Sequence, residues 1–158
     1  MSFLSTINII GSGITAQHLR LDVISENVTN INTTRTEEGG PYRRKVVVFQ
    51  SQDGARRDNF RAALARAQFR QNGVVSNAGY DTTGGVRVVE IADDPSDFKL
   101  KYDPTDPDAN EEGYVELPNV DLVKEITDAM AASQAYSANV TAFNVLKGVI
   151  SSGLEIGR

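Results

Sequence analysis

The sequence predicts an α+β fold in which long N- and C-terminal helices pair as a coiled coil, with a small central β-rich domain between them. Three observations lead to this prediction: apolar residues recur at heptad spacing at both ends, short valine-rich or alternating runs lie between them, and 158 residues suffice for one core. The predicted helical region comprises residues 1–34 and 118–158. The predicted central domain comprises residues 35–117, with 51–84 as a loop-like insertion.

The N-terminal helix is predicted from apolar residues that recur in steps of three and four, interrupted only by the polar Gln17. This seam consists of Phe3, Ile7, Ile10, Ile14, Leu21, Ile24, Val28 and Ile31. A heptad seam of this length is typical of a helix that packs along another helix. We therefore expect the aliphatic members of the seam, from Ile7 to Ile31, to contact helices of other chains.

The stretch that follows this helix is rich in residues that stop helices and turn chains. Asn27, Asn30 and Asn32 can form hydrogen bonds with the turn backbone, and we predict that they also bond between subunits. Two threonines follow, and the Gly39–Gly40–Pro41 sequence permits a sharp entry into the next strand. The alternative interpretation is an ordinary helix-to-strand loop.

The middle of the chain is predicted to form four strands. These are Tyr42–Gln50, Gly85–Ala92, Phe98–Tyr102 and Tyr114–Leu117. The third alternates apolar and basic residues, which predicts one buried and one exposed face. Within the insertion, 60–69 is predicted to be a short helical turn at best and 71–85 a loop.

The C-terminal helix is predicted to begin after Pro118, with Asn119 as its N-cap. Its seam consists of Leu122, Ile126, Ala129, Ser133, Tyr136, Val140, Phe143, Leu146, Ile150 and Leu154, and Ile156 extends the apolar pattern. Each terminal helix would be about 45 Å long, and the other faces carry many small residues. Such faces suit close contact with further helices, so we expect this end to be buried among other subunits.

Charge is unevenly distributed around a net charge of −5, which argues against nucleic acid as the main ligand. Residues 35–70 include nine basic and four acidic side chains, whereas residues 90–116 include ten acidic side chains and two lysines. We predict that the basic segment Arg43, Arg44 and Lys45 meets an acidic loop such as Asp103–Glu112 of a neighbouring subunit. The alternative is that both charged segments are merely solvated.

The sequence contains no convincing catalytic or ligand site. Gly11–Ser12–Gly13 with Ala16 fits a dinucleotide motif only in spacing, since it lies in a heptad and not after a strand. His18 has no nearby catalytic partner in sequence, and the acidic stretch DPTDPDANEEGY lacks calcium-loop spacing. We therefore predict no enzyme activity, cofactor, metal or small-molecule substrate. No apolar run approaches a membrane span and no cleaved signal is expected.

Several motifs resemble a known family. The strings ISENVTNINTTRT (24–36), EGGPYRRKVVVF (38–49), GVRVVEI (85–91) and the stretch from LKYDPTDPDANEEGYV to the end (100–158) are similar to the flagellar rod and hook axial proteins. GGPYRR and YDPxxPDAxxxGYV are typical of the proximal rod proteins of the FlgC type within that family. The resemblance covers about three quarters of the chain and leaves out 51–84.

This resemblance implies a structural subunit of the bacterial flagellar basal body. Proteins of the family polymerise helically with copies of themselves and with other rod proteins, and form the torque-transmitting shaft around the export channel. They leave the cytoplasm through the flagellar type III export apparatus without a cleaved signal peptide, and the rod crosses the periplasm. The sequence leaves one alternative open, a monomeric α+β binding module whose terminal helices satisfy each other.

Overall fold

The computed structural model describes residues 3–37, 39–52 and 84–156. The elements are α1 (Phe3–Thr29), β1 (Lys45–Ser51), β2 (Val86–Asp93), β3 (Lys99–Tyr102), β4 (Tyr114–Leu117) and α2 (Leu122–Ile156). Two long helices and four short strands confirm the predicted α+β class. The turn and loop predicted for the insertion lie outside the described residues, except for Gly84 and Gly85.

Helix α1 ends at Thr29, where the asparagine-rich stretch begins. The Asn30 amide donates to the Glu26 carbonyl both from its backbone (3.1 Å) and from its side chain (3.0 Å). The chain then turns through Gly39 and Gly40, whose φ angles of 86° and 84° are strained for any residue with a side chain. The glycine turn predicted from the sequence is thereby confirmed.

Helix α2 begins at Leu122 and is capped by Asp121. The Oδ1 atom of Asp121 accepts hydrogen bonds from the backbone N–H groups of Val123 (2.9 Å) and Lys124 (3.4 Å), and these bonds lower the pKa of Asp121. The prediction of Asn119 as N-cap is wrong. The Asn119 side chain instead accepts from the backbone N–H of Arg44 (2.7 Å), which ties the linker to the entrance of β1.

The strands form two separate antiparallel ribbons. In the first, β1 pairs with β2 from Lys45 opposite Asp93 to Ser51 opposite Val86, with an irregularity after Val48. In the second, β3 pairs with β4. The bounds of three of the four strands differ from the prediction. The largest difference is in β1, which begins at Lys45 and not at Tyr42.

The first ribbon lies along α1, and its strand β1 runs antiparallel to the helix. At one end the Val86 N–H donates to Ser12 Oγ (3.0 Å), and at the other the Lys45 N–H donates to Asn27 Oδ1 (2.9 Å). The helix rises about 22 Å between Ser12 and Asn27, and β1 spans about 20 Å. Because the two lengths match, one face of the ribbon packs on α1, where Val23 is buried.

The second ribbon contradicts the prediction of a buried apolar face on the third strand. Every residue of β3 is exposed, and Leu100 and Tyr102 retain 64% and 65% of their accessible surface. The register places Lys99 and Lys101 on the face that carries the buried Val115. Lys99 Nζ donates to the Val120 carbonyl there (2.6 Å), so a lysine stem covers the core and the apolar side chains point outward.

Candidate assembly interface

The two terminal helices pack against each other within the subunit. Asn27 of α1 bonds Glu125 of α2, and Gly13 lies against Asn139, so a step of 14 residues back along α1 corresponds to 14 residues forward along α2. The helices are therefore antiparallel. A Cβ at Gly13 would lie 3.0 Å from Asn139 Nδ2, which shows how closely the helices approach.

Antiparallel pairing leaves α2 longer than its partner. Phe3, the first described residue of α1, falls opposite Val149, so the last turns of α2 extend past the described start of α1. Leu154 lies in this overhang and retains 71% of its accessible surface. The side chain of Ile156 lies outside the described residues.

The predicted seams differ in how far one subunit buries them. On α1, Ile24 is buried, and the half-buried members are Ile7, Ile10, Ile14, Leu21, Val28 and, just after the helix, Ile31. On α2, the half-buried members are Tyr136, Val140, Leu146 and Ile150, and the exposed ones are Leu122, Ile126, Phe143 and Leu154. The contact line of α2 instead runs through Glu125 and Ala132, which are fully buried.

A second apolar face of α2 was missed by the sequence prediction. It consists of Val123, Met130, Val145 and Val149, which are all strongly exposed and which we call the outer strip. At 100° per residue, three of these positions lie about 140–180° from the mean direction of Glu125, Ala132 and Asn139, and Val149 lies about 100° from it. Beside the strip, a shallow groove is lined by Leu21, Ile126, Met130, Ser133 and neighbouring small residues. The available signal was the apolar character of α2 on more than one face, which predicts more than one neighbour.

The helices and the first ribbon meet at a buried polar cluster, the polar joint, formed by Asn27, Tyr42, Arg44 and Glu125. Asn27 is 1% exposed. Its Oδ1 accepts from Tyr42 Oη (3.0 Å) and from the Lys45 N–H (2.9 Å). Its Nδ2 donates to the Lys45 carbonyl (2.9 Å) and to Glu125 Oε2 (3.1 Å). One side chain thus joins α1, the start of β1 and α2.

Arg44 and Glu125 form the charged half of the polar joint. Arg44 Nε donates to Glu125 Oε1 at 2.6 Å, and Glu125 is fully buried. The same guanidinium contacts Asp94 (3.2 Å) and Asp128 (3.3 Å). Although burial alone would lower it, the pKa of Arg44 is raised because Glu125 and Asp94 accept its hydrogen bonds. Two carboxylates from α2 and one from the loop after β2 therefore converge on one cation.

Tyr42 stays a neutral donor in this cluster. Burial, together with the negative charges of Glu26, Asp93 and Glu125, raises the pKa of Tyr42 to about 12. The phenol therefore keeps the proton that it donates to Asn27 at any ordinary pH.

Of the five asparagine and arginine residues predicted to contact neighbouring subunits, four form hydrogen bonds within their own subunit. Asn27 and Arg44 are buried in their own subunit, so their predicted contacts with neighbours lose their support. Arg43 donates to the carbonyls of Asp94 (2.9 Å) and Ser96 (3.1 Å), again within the chain. Asn30 bonds the end of α1, and Asn32 is exposed.

Part of the predicted charge complementarity is also satisfied internally. Thr34 Oγ1 donates to Asp108 (2.9 Å), and Arg35 lies 3.9 Å from the same carboxylate. The turn after α1 thereby contacts the acidic loop between β3 and β4. Contacts of this loop with a neighbouring subunit stay a prediction.

The described residues offer little for other kinds of site. In 3–37, 39–52 and 84–156, no histidine and carboxylate side chains group as metal ligands would. Neither α1 nor α2 has a stretch apolar and long enough to span a bilayer. Within this part of the chain, the exposed apolar faces are thus the features that call for a functional explanation.

Comparison with known proteins gives matches along the whole chain. A model for flagella basal body rod proteins matches residues 7–35, and a model for the C-terminal part of flagellar basal body rod FlgEFG proteins matches 111–156. The chain is 45% identical to the flagellar basal-body rod protein FlgC of Bacillus subtilis, with all of both chains covered. It is 42% identical to that of Borreliella burgdorferi (99% and 98% covered) and 35% identical to that of Escherichia coli O157:H7 (all of both covered).

Proposed function

The chain belongs to the family of flagellar basal-body rod proteins of the FlgC type, and on that premise we propose that it polymerises helically into the rod as a structural subunit. The terminal helices form the inner layer around the export channel, and the two ribbons lie outside them. Neighbours in the rod are further copies of the chain and other rod proteins. The family is structural and is not a family of enzymes.

The outer strip of α2 is the observation that supports this assembly. Three of its four apolar side chains lie about half a turn away from the face that contacts α1, and Val149 lies more than a quarter of a turn away, so one partner helix cannot cover both the strip and that face. Covering such side chains contributes about 1.5–3 kcal/mol each. Repeated contacts of this kind between subunits resist sliding, because a shift of one helix misplaces every packed side chain. Torque transmission follows from this rigidity.

The monomeric binding module would require α1 and α2 to satisfy each other. The overhang of α2 and its outer strip argue against that alternative, since both leave large apolar side chains in water. Coiled-coil packing in the assembled rod, with predicted seam residues such as Phe143 and Leu154 as knobs, is part of the proposal. So are export by the flagellar type III apparatus and a position of the rod across the periplasm.

The test introduces charge on the outer strip with Val145→Asp and Val149→Asp together. We expect export to continue, because an unfolded substrate does not need this packing, and incorporation into isolated basal bodies to be lost along with motility. The measurements are the amount of subunit outside the cytoplasm and in purified basal bodies.

A matched control places the same two charges on exposed polar positions about a quarter of a turn from the strip and away from the face that contacts α1, with Asn144→Asp and Ser151→Asp. This variant should assemble far better than the first. Normal incorporation and full motility of the Val145→Asp, Val149→Asp variant would overturn the proposal that the strip contacts a neighbouring subunit.

A further inference from the structure

Helix α2 does not turn its most apolar side toward α1. In the first half of α2, the large apolar residues of the predicted seam are Leu122, Ile126, Tyr136 and Val140. At 100° per residue, their mean direction lies about 80° from that of the contact line through Glu125, Ala132 and Asn139. Leu122 and Ile126 therefore keep 46% and 50% of their accessible surface, while a carboxylate and an alanine are fully buried. The apolar pattern alone does not explain this orientation.

The polar contacts of α2 do explain it. Glu125 has a partner for each oxygen, because Oε1 accepts from Arg44 Nε (2.6 Å) and Oε2 accepts from Asn27 Nδ2 (3.1 Å). Asp128 lies about 60° around α2 from Glu125. It contacts the same Arg44 (3.3 Å) and also Arg20 of α1 (3.6 Å). All four contacts form only when the Glu125 side of α2 faces α1 and the start of β1.

A buried ion pair is a poor source of stability but a good source of specificity. Burying a carboxylate costs solvation that pairing with a cation scarcely recovers, and apolar side chains of similar size often stabilise a protein as well. A helix with apolar residues on more than one side can pack in more than one orientation, and a buried polar group selects among them. Turning α2 by about 80° would bring Ile126 to α1 and would take Glu125 away from Arg44 and Asn27.

We propose that Glu125 determines which side of α2 packs on α1. Its contacts with Arg44 and Asn27 hold the helix about 80° away from the orientation that its apolar residues alone favour. Ile126 thus stays open in the shallow groove beside Met130. That a neighbouring subunit then covers this groove rests on the proposed function, whereas the role of Glu125 within the subunit does not.

The test follows the reactivity of single thiols in the dilute full-length chain, which has no cysteine of its own. Ser133→Cys places a thiol on the exposed side of α2 near Ile126, and Ala132→Cys places one on the buried side. With the native joint, the thiol at 133 should react fast with an alkylating reagent and the thiol at 132 slowly. With Arg44→Met and Glu125→Leu added, the thiol at 133 should react at least about fivefold more slowly, and the thiol at 132 faster.

Slower reaction at 133 distinguishes a turned helix from a loosened one, because loss of packing would expose both thiols. Glu125→Leu alone is a milder second variant, since Arg44 keeps Asp94 and Asp128, and it should shift the two rates in the same directions. Glu125→Gln is the conservative control. Its side-chain oxygen can still accept from Arg44 Nε, so both rates should stay close to those with the native joint.

Two results would overturn the proposal: unchanged rates in both leucine variants, or faster reaction at both positions in both of them. The first would mean that packing without the joint fixes the orientation of α2, and the second that the joint only stabilises the subunit. Neither result bears on incorporation through the outer strip, which is measured in basal bodies, so the proposed function is tested separately.

Discussion

Asn27 does with one side-chain amide what a neighbouring strand does with its backbone. Its side-chain oxygen accepts from the Lys45 N–H and its side-chain nitrogen donates to the Lys45 carbonyl, so the first residue of β1 is hydrogen-bonded to a helix side chain. The same nitrogen reaches Glu125. The sequence predicts that Asn27 bonds turn backbone, but it gives no sign of the partner on α2, 98 residues further along the chain. Such a long-range polar contact depends on the tertiary packing of both helices.

Arg44 is the residue at which the polar joint is most sensitive. Arg44→Met removes the cation from three carboxylates and leaves Glu125 charged and buried, so we expect the free energy of unfolding to fall by about 3–5 kcal/mol. Adding Glu125→Leu to the same chain removes the stranded charge and should restore a large part of the loss. Denaturant unfolding of the wild type and the two variants, with Asn32→Ala as an exposed control, measures this. A double variant no more stable than Arg44→Met would show that the ion pair is not the cause.

At the scale of elements, the sequence predicts the helices and turns well, but it does not predict which of two suitable residues fills a given position. Heptad spacing predicted both helices, and the two glycines predicted the turn before β1. The cap of α2 was assigned to the wrong residue because Asn119 and Asp121 are both good N-cap residues, and the sequence does not show that the Asn119 side chain bonds Arg44, 75 residues away. The prediction of the buried side of β3 was wrong because the apolar stem of Lys99 lies over the core while its charged end bonds the Val120 carbonyl.

The contact between α1 and α2 gives a pair of glycine variants with opposite expectations. Gly13 faces Asn139, so Gly13→Leu forces the helices apart and should lower the free energy of unfolding by about 1–3 kcal/mol. Gly11 has open space around its Cβ position, so Gly11→Ala should raise it by about 0.5–1 kcal/mol through helix propensity alone. Thermal unfolding of both variants measures the difference. Equal effects would mean that the helices do not approach at Gly13.

On the scale of the whole molecule, stability is concentrated where the joint, the first ribbon and the helices meet. The fully buried Val115, Val120, Glu125 and Ala132 all belong to the stretch of chain that runs from β4 to the first third of α2. Beyond Val140, most side chains of α2 are exposed, and its last turns pass the described start of α1. The first half of α2 is therefore packed within its own subunit, whereas the second half would be covered only by neighbouring subunits.

Hydrogen exchange along α2 tests this division. In the dilute subunit, we expect amides of 141–156 to exchange at least about 100-fold faster than those of 125–139, because a helix end without tertiary contacts opens locally. In assembled rods the difference should largely disappear, since neighbouring subunits cover the outer strip and the overhang. The Val145→Asp, Val149→Asp variant serves as the control and should keep fast exchange under assembly conditions. Uniformly slow exchange along α2 in the dilute wild-type subunit would mean that the terminal helices stabilise each other fully, and would favour the monomeric binding module over a rod subunit whose helices are completed by their neighbours.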